Sequence, residues 1–230
     1  NIGAVDTCHC MGACISQASG LYHAHSQDGG DVPPIVVTIG DSTFFHAGIP
    51  GLINAAFQGA RFVLVILDNN TTAMTGNQPT PQVGLRADGS RGPEIPIEDI
   101  VRACGVRFLK VCDPYRLEEL IDLLKQADAY CRSEEGGVAV IISRHPCLMD
   151  KRAGGEPPRK TVKVTDDCTG CRYCIERFEC PALEFVPPSP SAEDRKEKGR
   201  AVVVDHLCTG CAVCVAVCPV KAIVEQEVAR

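Results

Sequence analysis

From Pro34 to Asn70 the chain reads PIVVTIGDSTFFHAGIPGLINAAFQGARFVLVILDNN, and this stretch decides the fold. Pro34 to Ile39 (PIVVTI) and Arg61 to Leu67 (RFVLVIL) are continuous apolar runs of strand length. That pattern predicts strands buried on both faces of a parallel sheet. Parallel neighbours need a crossover. His46 to Gly59 supplies a helix, with Ile49, Leu52, Ile53, Ala56 and Phe57 at helical spacing after the turn residues Gly40, Asp41 and Ser42. Further on, Phe108 to Cys112 reads as a strand and Val138 to Ser143 as a last one. Between them Tyr115 to Cys131 reads as an amphipathic helix with apolar Leu117, Leu120, Ile121 and Leu124. Repeated β-α-β order implies an open parallel-sheet α/β domain over residues 1–150.

The 230 residues, 45% apolar and 23% charged, fit one large domain or a medium domain carrying a small one, and they exclude disorder throughout. The longest apolar runs, Phe62 to Leu67 and Val138 to Ile142, fall far short of the roughly 20 residues that span a bilayer, so no membrane partner is expected. A net charge of −6 gives no electrostatic reason to bind nucleic acid or anionic lipid. The first residue is Asn1, and nothing near it has the pattern of a signal peptide, so the chain reads as the remainder of something longer. Of 15 cysteines, eight sit in two tight runs near the C-terminus and the rest are scattered. Thiols grouped that closely bind metal. The odd total and the missing secretory segment place the chain in a reducing compartment, read as cytoplasmic.

Lys151 to Lys160 (KRAGGEPPRK) has the Gly, Pro and charge content of a linker, and the second domain is expected over 161–230. There VKVTDDCTGC (Val162 to Cys171) recurs as VVVDHLCTGC (Val202 to Cys211), forty positions later, which implies a pseudo-symmetric small α+β domain. Between the copies, Pro187 to Arg200 is polar and breaker-rich, hence an exposed loop. The second copy runs Cys208-x2-Cys211-x2-Cys214-x3-Cys218-Pro219, the bacterial ferredoxin spacing for a [4Fe-4S] cluster. The first runs Cys168-x2-Cys171-x2-Cys174-x5-Cys180-Pro181, with two extra residues that read as a bulge. In two-cluster ferredoxins the fourth thiol serves the other cluster. One cluster is therefore assigned Cys168, Cys171, Cys174 and Cys218, the other Cys208, Cys211, Cys214 and Cys180. Paired zinc sites are the alternative, but zinc ribbons use separated C-x2-C pairs, whereas here three thiols follow at equal intervals.

Gly40-Asp41-Ser42 ends one expected strand, 26 residues intervene, and Asn69-Asn70 ends the next. This resembles the GDG-x26-NN signature of thiamine diphosphate enzymes, with Ser42 in place of the last Gly. The physics is compatible. Oxygen ligands at the C-terminal ends of neighbouring parallel strands suit Mg2+, which keeps diphosphate oxygens in its other positions. The resemblance implies Asp41, Asn69 and the backbone carbonyl of Thr71 as metal ligands and places Gly40, Asp41 and Ser42 at the cofactor, where the backbone after Asp41 should offer N–H groups to the phosphates at a helix start. The bland alternative is that GDS and DNN are only turns.

The flanking stretches DTCHCMGA (Asp6 to Ala13), GDSTFFHAGIPGL (Gly40 to Leu52) and LDNNTTAMTGNQPTP (Leu67 to Pro81) resemble the large subunit of indolepyruvate:ferredoxin oxidoreductases. That subunit ends in a two-cluster ferredoxin domain, so the resemblance covers nearly the whole chain. It implies oxidative decarboxylation of an aryl 2-oxoacid to CO2 and an acyl-CoA, with electrons leaving through two clusters to ferredoxin. It also implies a second subunit or segment carrying the pyrimidine-binding region and its activating glutamate, which have no counterpart here. On this resemblance His46 is a candidate acid or base, against a plain helix-start residue bonded to the loop. Met11 and Gly12 are placed at the pyrimidine ring, with core filling the alternative for Met11. The small-residue run from Met11 to Leu21 suits a helix packed against cofactor or sheet.

Phe44 and Phe45 cannot both face a substrate pocket, and one belongs to the core. Cys8, Cys10 and Cys14 match no cluster spacing and are read as pocket-lining or buried thiols. Cys104, Cys112, Cys131 and Cys147 are read as core. Two rival readings stand beside the main one. The chain is an electron-transfer or assembly module, inactive without its partner, or it belongs to a pyruvate-type oxidoreductase that differs only in substrate.

Overall fold

The computed structural model describes residues 5–29, 31–150, 160–188 and 198–226. They fall into two compact units, one on each side of 151–159. The expected linker lies outside the described residues except for Lys160, as does Asn1.

In the first unit α1 (Cys14–Gln27) precedes β1 (Val36–Gly40), and the chain then passes without a loop into α2 (Asp41–Thr43), a π segment (Phe44–Gly48) and α3 (Ile49–Phe57). β2 (Val63–Asp68) follows, then a small antiparallel pair, β3 (Thr71–Thr72) and β4 (Gln78–Pro79), then α4 (Ile97–Ala103). β5 (Phe108–Cys112), α5 (Leu117–Arg132) and β6 (Ala139–Arg144) complete the unit. The strands form one parallel sheet in the order β1-β2-β6-β5. One face buries Val37, Ile39, Leu64, Ile66, Val140 and Ile142 together with Ile15, Leu52, Ile97 and Val101 of the helices. The other buries Val63, Val65, Ala139 and Ile141 with Ala127 and Cys131 of α5.

Three expectations are corrected. β1 is buried on one face only, with Val37 and Ile39 inside and Val36 and Thr38 exposed, because it edges the sheet and α5 lies over the other three strands. The helix begins at Asp41, five residues earlier than the apolar spacing suggested, with Gly40 as its extended N-cap. Its inward face carries Leu52 and Ala55, both 0% exposed, whereas Ile53 and Phe57 stand 52% and 84% exposed. The sequence holds more apolar residues at helical spacing than one face accommodates. The π segment has a local cause. Pro50 has no N–H for the carbonyl of His46 four residues back, and the helix widens so that the Ile49 N–H reaches the Phe44 carbonyl instead. Gly48 lies under this turn, where a Cβ would come within 2.8 Å of the Phe44 ring. α4 was not expected, although Ile97 and Val101 sit one turn apart and are both fully buried.

The second unit repeats one motif twice. β7 (Thr161–Val164), α6 (Tyr173–Glu176) and β8 (Leu183–Val186) are followed by β9 (Arg200–Val203), α7 (Val213–Val217) and β10 (Ile223–Gln226). β7 pairs antiparallel with β10, and β8 with β9. Each copy is thereby closed by strands of the other, around Val162, Leu183, Ala201 and Ile223. Left-handed residues recur forty positions apart at Gly170 and Gly210 and at Arg172 and Ala212. Among the described residues no helix is long and apolar enough to cross a membrane.

The helix orientation gives a direct test. Leu52→Ala should cost the first unit about 2–5 kcal/mol through the cavity it leaves. Phe57→Ser should change stability by no more than about 0.5 kcal/mol. Denaturant midpoints of the two variants check this, and equal losses would contradict the observed face.

Candidate functional site

The parallel register sets Gly40 opposite Leu67, so Asp41 and Asp68 leave their strands side by side at the carboxyl edge of the sheet. Asp41 is 3% exposed. Its Oδ1 accepts the Ser42 N–H at 2.7 Å, and its Oδ2 is buried with no hydrogen-bond partner among the described residues. Burial is the main cause that raises its pKa to about 6, and the neighbouring carboxyl of Asp68 pushes the same way.

Asp68 is completely buried and is held on both oxygens. Arg144 Nε donates to Oδ2 at 2.6 Å, while the Asn70 N–H (3.2 Å) and the Gln82 side-chain amide donate to Oδ1. Arg144 also forks onto Glu98 at 2.8 and 3.0 Å, and this contact keeps the Glu98 carboxyl below its ordinary range. Asp68 and Glu98 thus share one guanidinium, an excess of one negative charge, and the Asp41 carboxyl beside them keeps a buried oxygen with no hydrogen-bond partner among the described residues. A hard divalent cation fits that deficit and that donor chemistry.

The turn after β2 supplies more oxygen donors. Asn69 Oδ1 accepts the Thr71 N–H at 3.1 Å, and Asn70 adopts the left-handed region at φ 63°. Thr71 is 4% exposed, and its hydroxyl donates to the Gln78 carbonyl. The Thr72 hydroxyl donates to Ser42 Oγ at 2.8 Å, tying this turn to the helix start. Ser42 therefore has its own partner, and as a right-handed helical residue it occupies a position that requires no glycine.

The remaining first-unit expectations separate. Gly12 has φ 91°, and a Cβ there would stand 2.6 Å from the Ala47 Cβ, so the Met11–Gly12 turn packs beside the π segment that carries the exposed His46. Met11 is 72% exposed and is not core filler. Phe44 is the core phenylalanine, and Phe45 is half-buried against the same cluster. Cys8 and Cys10 are exposed, which removes the buried alternative for them, while Cys14 is half-buried and burial raises its thiol pKa. Cys112 and Cys131 are core, and Cys104 packs against it. Cys147 is not in the core clusters: its N–H donates to the Asn69 carbonyl, which puts it at the site edge.

In the second unit the thiols gather in two sets. Crowding the Cys174 thiol are Cys218, Cys171 and Cys168, and crowding the Cys214 thiol are Cys211, Cys180 and Cys208. Burial is the larger influence on both, and Cys214 is pushed up to about 11. Each set draws three thiols from one run and one from the other. Soft thiolates in fours, on loops held open by left-handed residues, fit iron–sulfur clusters. Among the described residues no three His, Cys, Asp or Glu side chains close in far enough to share a single ion.

The x5 spacing is not an insertion. Cys174 to Leu183 and Cys214 to Ile223 cover the same nine-residue step, so the expected bulge is absent and the Cys-Pro pair has slid by two positions within a segment of fixed length. Phe178 stands where the repeat would put the last thiol, and it packs into the small core. The slide changes the sulfur's surroundings. Cys218 Sγ accepts the Ala222 N–H at 3.2 Å, four residues on, whereas the residue four beyond Cys180 is Glu184, already within β8.

Residues 3–143 match the family model of the thiamine pyrophosphate enzyme, C-terminal TPP binding domain. The chain belongs to that family. Residues 167–223 match the 4Fe-4S dicluster domain. The chain is 46% identical to the indolepyruvate oxidoreductase subunit IorA of Archaeoglobus fulgidus, over 95% of its own length and 32% of the relative's. It is 40% identical to the IorA subunit of Methanothermobacter marburgensis, over 96% and 32%. It therefore spans about a third of the length of these curated relatives. A 2-oxoglutarate:ferredoxin oxidoreductase from Magnetococcus marinus superposes with a TM-score of 0.51 at 19% identity, covering 63% of this chain and 48% of that one, a likeness of fold.

Within this thiamine pyrophosphate enzyme domain, the sequence reading missed Asp68, Gln82, Glu98 and Arg144. Arg144 reaches partners 76 and 46 positions away, a distance no local pattern encodes. The signal available was the charged Arg144 directly after the buried run from Val138 to Ser143, which requires an acidic partner at that strand end.

Proposed function

We propose that this chain is the thiamine- and cluster-bearing part of a 2-oxoacid:ferredoxin oxidoreductase acting on aryl pyruvates, with a partner subunit or segment supplying the pyrimidine-binding region. The observation that carries the reading is the presence, in one chain, of a buried carboxyl edge short of positive charge and two four-thiol sets. The relatives' names, which specify indolepyruvate and a subunit, support the substrate class and the need for a partner.

In this reading Asp41, Asn69 and the Thr71 carbonyl would hold Mg2+, and the backbone after Asp41, at the start of the helix, would offer N–H groups to the diphosphate. When bound, thiamine diphosphate supplies the carbanion chemistry that releases CO2 from a 2-oxoacid, and the clusters take up the electrons singly. Met11 and Gly12 lie against the aminopyrimidine, where the glycine allows the backbone a close approach. His46, exposed one helical turn beyond Asp41, moves a proton at the substrate. Phe45, half-buried at the edge of the core where Phe44 is fully buried, is the ring left to meet an aryl side chain. Cys168, Cys171, Cys174 and Cys218 hold one cluster, and Cys208, Cys211, Cys214 and Cys180 the other. CoA accepts the acyl group and ferredoxin the electrons.

Three experiments test this in the assembled enzyme. Asp41→Ala should abolish Mg2+-dependent thiamine diphosphate binding in equilibrium dialysis while the cluster absorbance stays, and unchanged affinity would remove the assignment. Cys180→Ser should damage the cluster on Cys208, Cys211 and Cys214, read by electron paramagnetic resonance; loss of the signal from the other set instead would show that the fourth ligands are not exchanged. With CoA present, ferredoxin reduction should show higher kcat/KM for indolepyruvate and phenylpyruvate than for pyruvate. Phe45→Ala should cost the aryl acids about 1–3 kcal/mol and leave pyruvate nearly unaffected. A preference for pyruvate would reject the aryl reading and leave the thiamine and cluster chemistry standing.

A further inference from the structure

We infer that Gln82 is a positioning residue for the metal turn: one side-chain amide holds the residues on both sides of Asn69 and so fixes where Asn69 and Thr71 present their oxygens. Its Nε2 donates to Asp68 Oδ1 and, at 2.6 Å, to Asn70 Oδ1. An amide nitrogen carries two hydrogens, and here each has an acceptor. The clamp therefore spans Asn69, whose own side-chain oxygen closes the turn onto the Thr71 N–H.

The donor comes from a stiff support. Gln82 lies in a short 3-10 turn, Pro81–Val83, in which Pro81 has a fixed φ. The Val83 N–H donates to the Thr80 carbonyl, and the Ile95 N–H donates to the Pro81 carbonyl. The acceptors need that support. Asn70 is held at φ 63°, a conformation asparagine tolerates but does not prefer, and Asp68 is fixed from its other side by Arg144. The Pro81–Val83 turn and the end of β6 thus converge on one four-residue turn, and Gln82 touches both of its flanks through a neutral group. Removing it leaves no unpaired charge of its own, unlike removal of Arg144.

The inference rests on the metal reading of Asp41 and Asn69, and the experiment separates the two. In the assembled enzyme, the Mg2+ concentration giving half-maximal thiamine diphosphate binding is measured by equilibrium dialysis for the unaltered protein and for Asp41→Ala, Gln82→Met and Asn70→Gly. Methionine keeps the length of the side chain and removes the donor. Glycine keeps the left-handed backbone and removes the second acceptor. Both variants should raise the Mg2+ requirement roughly 10-fold, the scale of one or two lost hydrogen bonds, and the double variant should shift it no further than either alone.

Cluster signals in electron paramagnetic resonance should stay unchanged, and a thermal midpoint lowered by the lost hydrogen bonds should be accompanied by the Mg2+ shift. Wild-type Mg2+ dependence in Gln82→Met, or additive shifts in the double variant, would overturn the inference. So would a lowered thermal midpoint without a Mg2+ shift, which is what a loop pin alone would give. If Gln82→Met does not accumulate, Asn70→Gly decides by the same criterion. Undiminished binding in Asp41→Ala would instead remove the metal reading itself.

Discussion

The in-register parallel pairing of β1 with β2 places Gly40 against Leu67, and the carboxyl edge follows from that one alignment. Two strands ending level deliver Asp41 and Asp68 to the same buried spot, where neither carboxylate is open to bulk solvent. Arg144, at the end of the next strand, relieves Asp68 and Glu98 and leaves Asp41 with an oxygen that has no hydrogen-bond partner among the described residues. A buried carboxylate short of a partner is costly unless a cation completes it. The raised pKa of Asp41 has the same origin, since burial and a like-charged neighbour both disfavour its charged form. The unit is in this sense folded around an anion surplus, and the packing of the two sheet faces holds that surplus in place.

What was legible in the sequence was whatever repeats over short distances. The buried strands, the long α5 and the α1 segment follow from apolar runs and periodicity, and the thiol runs follow from spacing. Periodicity failed where it was over-supplied. Leu52, Ile53, Ala56 and Phe57 all fit a helical stripe, and only packing against Ile15 and the sheet selects Leu52. It failed again at Pro50, whose missing N–H widens the helix into a π segment and changes which residues lie over β1. The ionic network was invisible for a different reason. Asp68, Glu98 and Arg144 belong to three separate elements, and only the strand order β1-β2-β6-β5 brings Arg144 beside Asp68.

In the small unit the repeat was legible and its exception was misread. Counting residues between thiols suggests an insertion in the first copy, whereas counting from thiol to strand shows none. Strand register is the stronger constraint here. β8 must meet β9 and β10 must meet β7 for either copy to be closed, so the step from Cys174 or Cys214 to the strand is held constant while the Cys-Pro pair moves inside it. The cost of the move falls on the sulfur. Cys218 accepts a backbone N–H from Ala222, four residues on, whereas the residue four beyond Cys180 already belongs to β8. Hydrogen bonds to sulfur are one of the means by which a protein sets cluster potential. The two four-thiol sets are accordingly inequivalent despite a backbone that repeats its left-handed residues forty positions apart.

The oxygen edge and the thiol sets use one physical device in hard and soft form. Asp41 is buried beside another carboxyl, and Cys174 and Cys214 are buried among other thiols. In each case the neighbours disfavour a second negative charge, so the groups are poorly satisfied as bare ions and well satisfied by a shared cation of matching softness. Cys112 and Cys131 mark the contrast. Burial raises their pKa values too, and the charged neighbours that push the same way are carboxylates, Glu119 and Asp113 for Cys112 and Asp128 for Cys131, while the thiols pack among the apolar side chains of β5, β6 and α5. Cys174 and Cys214 are instead each crowded by three further thiols. Burial among apolar side chains suits a neutral core cysteine, and burial among three thiols suits a shared soft cation.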